Sequence, residues 1–259
     1  MRARIRREQQ TLGTLPEIGK IKTGVKVEKP GGKSYPKGLD YFVATGKYAS
    51  KFNLAYPGRP DNITVTFASD DPEFSCSERY ELRDQSGARF AFGDGETFQV
   101  WDKRGEGQYR TVSVSDQPDI MAWCESQTGT AWAVTLDLRF LIPKVDGVFG
   151  VWHYRTKGEL SSIPAIRDTF DRVLESAGTV VGVPFDLQVK FAKSQKPGSK
   201  SRYPVTSLVA NLSQESLDTV NQLVKSGDRP RGLLTEQVIR DSTQRQIGSG
   251  TQYEMEVGQ

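Results

Sequence analysis

The chain has 259 residues, of which 36% are hydrophobic and 26% are charged, a composition typical of a globular protein with one large domain or two small ones. It has no run of about 18 apolar residues, so no membrane span is expected, and its arginine-rich start lacks the apolar stretch of a secretory signal. The two cysteines, Cys76 and Cys124, are too few for a disulfide framework, so we expect a cytoplasmic protein with both thiols in its core.

The net charge of +3 is unevenly distributed along the chain. Residues 1–60 hold 13 lysines and arginines against 4 acidic residues, whereas residues 61–150 hold 8 against 16 and residues 151–259 hold 14 against 12. A basic end of this kind can meet an anionic partner. The alternative interpretation is a solvated surface that is merely unevenly charged.

The first part of the chain predicts a basic arm and then extended structure. Residues 1–15 have the composition of a flexible arm that carries several arginines, among them Arg4, Arg6 and Arg7. Residues 17–28 alternate apolar and basic positions, so three of the lysines share one parity and could line one strip: Lys20, Lys22 and Lys26. A Pro-Gly-Gly turn at 30–32 follows this stretch.

The middle of the chain predicts strands. Apolar residues alternate over 63–67, and the runs 80–83 and 88–92 flank a Ser86-Gly87 turn, which indicates a hairpin. A further strand is expected at 97–101, after a turn at 93–96 that is rich in glycine and acidic residues.

From residue 116 to residue 226 the pattern predicts the order helix, hairpin, helix, hairpin, helix. The helices are expected at 116–128, at 162–177 with Ser162 as its cap, and at 213–225. The hairpins are expected at 131–156, through an Asp146-Gly147 turn, and at 183–212. This order predicts an α+β fold in which antiparallel hairpins alternate with amphipathic helices packed on a mixed sheet.

The domain organisation follows from the same patterns. We expect one α+β globular domain over residues 16–227, with a sub-boundary near 103–116, and a polar C-terminal segment over 228–259 that is partly disordered.

The residues that catalysis or metal binding would need are sparse. The chain has one histidine, His153, so a Ser-His-Asp or Cys-His site would have to use it, whereas a lone histidine within a strand is more often a satisfied core or rim residue. Acidic residues cluster in turns and could hold Mg²⁺, although turns are rich in acidic residues for geometric reasons alone; they are Asp70, Asp71, Glu73, Asp94 and Glu96. The sequence therefore predicts no catalytic residue, no metal ion and no cofactor.

The clearest functional pattern is basic. The loop at 193–202 carries four cations and no acidic residue, namely Lys193, Lys196, Lys200 and Arg202. Lysine and arginine on a slim hairpin loop suit contacts with phosphates. The alternative is a solvated loop tip whose lysines protect an exposed sheet edge.

Six short segments carry a further signal, namely Ile18 to Gly24, Tyr35-Pro36, Leu39 to Phe42, Gly147 to Trp152, Thr156 to Gly158 and the loop at 193–204. Together they resemble a phage and mobile-element family, the recombination directionality factors of large serine integrases. The resemblance implies a protein that binds its serine integrase on attachment-site DNA and biases that enzyme toward excision. It also implies that the integrase supplies the catalytic serine.

Two other functions remain open at this point. One is a phage or plasmid single-stranded nucleic-acid-binding protein that acts in replication, for which the interleaved aromatic residues and lysines are suited. The other is a metal-dependent hydrolase that uses the turn carboxylates.

Overall fold

The computed structural model describes residues 15–28, 32, 34–102, 108–194, 198, 200–212 and 214–226. The predicted basic arm with Arg4, Arg6 and Arg7, the residue Lys196 and the C-terminal segment 228–259 lie outside the described residues. None of the described helices is long and apolar enough to cross a membrane.

Strands dominate the described part of the chain. They are β1 (Glu17–Glu28), β2 (Ser34–Thr45), β3 (Asn62–Val65), β4 (Cys76–Arg83), β5 (Arg89–Gly93), β6 (Thr97–Asp102), β7 (Gln108–Ser113), β8 (Ala133–Phe140), β9 (Val151–Thr156), β10 (Phe185–Lys193) and β11 (Arg202–Ala210). The helices are α1 (Ala49–Ala55), α2 (Pro72–Ser75), α3 (Ile120–Thr128), α4 (Ser162–Ala177) and α5 (Gln214–Lys225).

Eight of the strands form one mixed sheet in the order β2-β1-β9-β8-β4-β5-β6-β7, and the other three form a sheet in the order β11-β10-β3. The strands β1 and β9 pair in parallel, while the other ladders among the described strands are antiparallel. The predicted α+β fold class is therefore confirmed.

The main core joins both sheets to α4. Spacing of three and four residues along α4 turns one stripe of the helix inward, and this stripe includes Ile163, Ile166, Phe170, Val173 and Ala177. The ring of Phe170 meets Phe67 edge-on, with ring centroids 4.9 Å apart. From the large sheet, the side chains of Trp152 and Tyr154 in β9 enter the same core.

A second, smaller core lies at the other end of the large sheet. It gathers buried side chains from β4, β5, β6, β7 and α3, among them Leu82, Phe90, Phe98, Val100, Ile120 and Cys124. The helix α3 ends at Gly129, which has a φ of +67°. That backbone conformation favours glycine, as the sequence predicted for this stop.

Three predicted hairpins are confirmed, namely β4–β5, β8–β9 and β10–β11. The predicted length of the second hairpin was wrong, because β9 begins at Val151 and the segment 141–150 is a loop instead of a tight turn. Gly150, with a φ of +147°, lies immediately before β9.

One predicted helix start and one predicted cap were also wrong, while the predicted start of α4 at residue 162 is confirmed. Helix α3 begins at Ile120, after the turns over residues 114–119. At α4 the N-cap residue is Ser161, and the Ser162 hydroxyl instead accepts a hydrogen bond of 3.0 Å from the backbone N–H of Thr206. Ser162 thus ties the helix to β11 and does not cap it.

Candidate nucleic-acid interface

The β10–β11 hairpin places two of the predicted basic residues side by side. Its ladder runs without interruption from the pair Phe185/Ala210 to the pair Lys193/Arg202, and the N–H of Ser194 still donates to the carbonyl of Ser201 at 2.9 Å. Lys193 and Arg202 are exposed at this distal end, and so is Lys200. The cations therefore lie at the far end of a regular two-stranded ladder.

The β1–β2 hairpin meets the β10–β11 hairpin at a contact between Gly38 and Pro204. A Cβ atom added to Gly38 would lie 2.8 Å from Cδ of Pro204, so the two backbones can approach this closely only because residue 38 has no side chain. The sequence did not predict this contact, because Gly38 and Pro204 are far apart in the chain.

The three lysines of β1 are exposed, but they do not form one regular strip. The β1–β2 ladder is irregular between Lys22 and Gly24, which separates Lys26 from the other two. Lys20 pairs in register with His153 of β9, and its Nζ lies 3.5 Å from Oε1 of Glu17. Only Lys26, opposite Pro36, belongs to the distal part of the hairpin.

The contact at Gly38 therefore brings part of two predicted sites together. Lys26 lies two residues beyond Gly24, the partner of Gly38, and Arg202 lies two residues from Pro204. Two residues correspond to about 7 Å of strand, so the backbones of Lys26 and Arg202 lie within roughly 25 Å of one another. We name the group the basic hairpin surface, and it comprises Lys26, Lys193, Lys200 and Arg202.

Aromatic side chains accompany the basic hairpin surface. Tyr35 and Tyr203 are 41% and 40% exposed, and the guanidinium of Arg202 lies 5.6 Å from the ring centroid of Phe191. Glu28, at the end of β1, is an exposed acid in the same hairpin. Cations can contact phosphates, and exposed rings near them can stack on bases.

His153 belongs to a charge network on the large sheet. Its Nε2 lies 2.8 Å from Oδ1 of the buried Asp137, and its Nδ1 lies 3.5 Å from Oε2 of Glu17. The other partners of Asp137 are Arg155, whose Nε donates to Oδ1 at 2.5 Å, and Arg79. The ring of His153 is thus held between two carboxylates.

Asp137 stays charged despite its burial. Burial alone would raise the pKa of Asp137, but hydrogen bonds from His153 and Arg155 and the charges of Arg79 and Arg155 outweigh it and hold that pKa well below its ordinary value. Glu81, also buried, pairs with Arg83 and Arg155. Arginine pairs with both buried carboxylates, and the lowered pKa of Asp137 makes that residue a poor proton acceptor at neutral pH.

Three of the five acidic residues predicted in the turns accept hydrogen bonds from backbone N–H groups, while Glu73 lies 3.4 Å from the Ser77 hydroxyl, which donates to it. Asp70 accepts hydrogen bonds from the Thr179 hydroxyl and from two backbone N–H groups. Asp71 caps α2, and Asp94 accepts N–H bonds within its turn, including one of 2.7 Å from Thr97 that lowers its pKa. Among the residues that the structure describes, no group of three or more His, Cys, Asp or Glu is placed to hold a metal ion.

Both cysteines are buried and free, as the sequence predicted for core thiols. Cys76 belongs to the main core and Cys124 to the smaller one. Burial raises the pKa of Cys76 to about 12 and that of Cys124 to about 11. Neither thiol is therefore activated as a nucleophile at neutral pH.

Comparison with known proteins gives one finding about the family. No curated protein and no solved structure matches the chain significantly. A family model described as Gp3-like, recombination directionality factor-like, matches residues 18–211. This range runs from the second residue of β1 past the end of β11, and so contains all but the first residue of the two sheets and of the two hairpins that meet at Gly38. The chain belongs to the Gp3-like, recombination directionality factor-like family.

Proposed function

We propose that the chain is a non-catalytic regulator of site-specific DNA recombination, which binds a serine integrase on attachment-site DNA and biases it toward excision. The observation that carries this proposal is the family match over residues 18–211. Two sets of contacts support the non-catalytic part: arginine pairs with the buried Asp137 and Glu81, and Asp70, Asp71 and Asp94 accept hydrogen bonds from backbone N–H groups.

Such a regulator acts through differential affinity. It shifts the outcome only if it binds the excision-competent arrangement of integrase and DNA more tightly than the integration-competent one. A tenfold bias needs about 1.4 kcal/mol of differential binding, and a shift from 1:99 to 99:1 needs about 5.5 kcal/mol. A few contacts made in only one arrangement can supply the smaller value, and an extended interface is needed for the larger.

A recombination assay tests this proposal. A large serine integrase from the same genome would be incubated with left- and right-end attachment sites, and separately with the two sites used for integration, with and without the chain. We expect the chain to increase excision and to decrease integration. If neither reaction changes at a saturating concentration of the chain, the proposed bias is wrong.

The basic hairpin surface favours a second candidate, direct binding of single-stranded nucleic acid in replication. Four cations that each neutralise one phosphate would give a log–log salt slope of about −2.8 on single strands. The exposed ring of Tyr203 beside Arg202 could stack on a base. The salt slope separates this candidate from the first, which does not require the chain to bind DNA alone.

A matched pair of double variants tests the surface. Replacement of Lys193 and Arg202 by alanine should reduce the salt slope by about 1.4, since two phosphate contacts are lost. Replacement of Lys157 and Lys225, which are exposed outside both hairpins, removes the same charge and should leave the slope unchanged. Equal slopes for the two variants would exclude the basic hairpin surface as the contact.

A further inference from the structure

Phe149 is a large apolar side chain held in solvent. It is 79% exposed, although Val148 beside it packs against the main core and Gly150 after it is buried. An aromatic ring loses the favourable free energy of burial when it stays in water. A single exposed apolar residue is common on protein surfaces, so what distinguishes Phe149 is the way its loop is held and the side chains around it.

The loop that carries Phe149 is fixed at both ends. On one side, Nζ of Lys51 in α1 donates to the carbonyls of Asp146 and Gly147, at 3.3 and 3.0 Å. On the other side, a Cβ atom at Gly150 would lie 2.4 Å from the carbonyl oxygen of Pro16, so the backbones are pressed together there. These contacts fix the backbone on both sides of Phe149, whose side chain is exposed.

The surroundings of Phe149 combine one more exposed apolar residue with a positive charge. Leu54 is 83% exposed, and it lies three residues after Lys51, on the same side of α1. The ammonium groups of Lys47 and Lys51 lie 5.3 and 5.9 Å from the Tyr48 ring. Lys144 adds a third cation over the Tyr56 ring, 4.7 Å from its centroid.

We propose that this corner, which we name the Phe149 corner and which comprises Lys47, Lys51, Leu54, Lys144 and Phe149, is the docking surface for a protein partner. The partner offers an apolar pocket for the Phe149 ring and carboxylates at the rim of that pocket. The identity of this partner rests on the proposed function, which makes it the serine integrase.

Two features favour a protein over a nucleic acid at this corner. The anchoring residues of protein interfaces are rigid aromatic side chains that enter a pocket, and holding them in place beforehand lowers the entropic cost of binding. The corner carries three lysines against the exposed Asp146, so its charge complements an acidic rim. Leu54 has no aromatic face on which a base could stack, so an apolar pocket in a protein matches the pair of Leu54 and Phe149 better than a nucleic acid does.

Binding measurements on the full chain test the proposal, with the integrase immobilised in the presence of attachment-site DNA. Phe149→Ala should raise the Kd by at least about 10-fold, equivalent to about 1.4 kcal/mol. The control is Leu160→Ala, because Leu160 is 95% exposed on the turn before α4 and should change the Kd by less than about twofold. Unchanged urea midpoints would show that both variants fold normally.

Charge reversal tests the acidic rim separately. Lys47→Glu combined with Lys144→Glu should weaken integrase binding, and it should also flatten the dependence of the Kd on salt.

A second copy of the chain is the other protein that could occupy the Phe149 corner. Sedimentation of the chain alone tests for such self-association. A self-association that Phe149→Ala abolishes would overturn the assignment to a different protein.

The outcomes separate the two proposals. If the wild-type chain neither binds the integrase nor changes its reaction, the proposed function is wrong and the docking surface fails with it. If the wild-type chain binds and Phe149→Ala binds equally well, only the docking surface is wrong. Weakening by Phe149→Ala with an unaffected Leu160→Ala supports both.

Discussion

Asp137 provides a test of what the charge network does for stability. Its side chain is 1% exposed, and it pairs with Arg79 and Arg155, which are 21% and 32% exposed. Asp137→Asn keeps the shape of the side chain but removes its charge. Two partly buried guanidinium groups and His153 then lose the carboxylate that compensates them.

The expected cost follows from the burial of the partners. Removing one member of a buried ion pair costs about 3–5 kcal/mol, because the remaining charge is left uncompensated. Both arginines still reach water, so we expect the lower end of that range, about 3 kcal/mol. For a domain of 150–250 residues, this corresponds to a decrease in Tm of about 6–12 °C.

Urea unfolding at pH 7, with linear extrapolation to water, measures the change in the free energy of unfolding. The matched control is Asp171→Asn, which breaks an ion pair with Arg167 within α4 whose two side chains are 37% and 30% exposed. Such a pair contributes about 0.3–0.5 kcal/mol. Equal losses for the two variants would show that the charge network does not stabilise the fold.

The difference in the free energy of unfolding between wild type and Asp137→Asn should also depend on pH, which gives a second check on the charge network. The pKa of Asp137 is lowered in the folded protein, so its contribution to stability is present above the unfolded value of about 3.9 and is lost as the pH falls toward the folded value. The contribution of the Asp137 charge should therefore be fully present at pH 5. Below pH 4 it should shrink.

Three further predictions concern other parts of the fold. Gly38→Ala should destabilise the protein by about 1–3 kcal/mol through overpacking against Pro204, and measured in a Pro204→Ala background the loss should be smaller if that ring causes it. Phe170→Ala should cost about 3–5 kcal/mol in urea unfolding, because its ring is fully buried. Cys76 and Cys124 should resist a thiol reagent at pH 8 in the native protein and react on unfolding; rapid native labelling of either would contradict its burial.

The helices and strands that the sequence predicted are those whose pattern of apolar residues is visible among neighbouring residues. Helix α4 and the β10–β11 hairpin carry a clear apolar period and a glycine near their ends, so neighbouring residues alone define them. Strand β7 was not predicted, because only Val112 among its residues is buried and no alternation appears. Helix α1 was not predicted for the same reason, since Phe52 is its one buried residue.

The candidate sites depended on contacts between distant parts of the chain. The sequence contains the cations of both hairpins, but it does not show that Gly38 lies against Pro204 and brings Lys26 near Arg202. Likewise, His153 was the only histidine available to a catalytic site, yet its partner Asp137 lies on the neighbouring strand β8. A pattern read along the chain identifies residue types, whereas the pairing of strands decides which of them meet.

Strand β1 connects the two proposed surfaces, and this arrangement bears on how a regulator could discriminate. Gly150, the neighbour of Phe149, packs against Ile18 in β1, and Lys26 of the basic hairpin surface lies eight residues further along the same strand, or about 26 Å. If integrase occupies the first surface and DNA the second, both are engaged only when the two partners are spaced to match. Once one partner is bound in that arrangement, the contact with the other forms within the same complex. This raises the affinity of the chain for the integrase–DNA complex, but only in that arrangement. Differential binding of integrase–DNA complexes would thus follow from the length and stiffness of β1, with no reactive group in the chain.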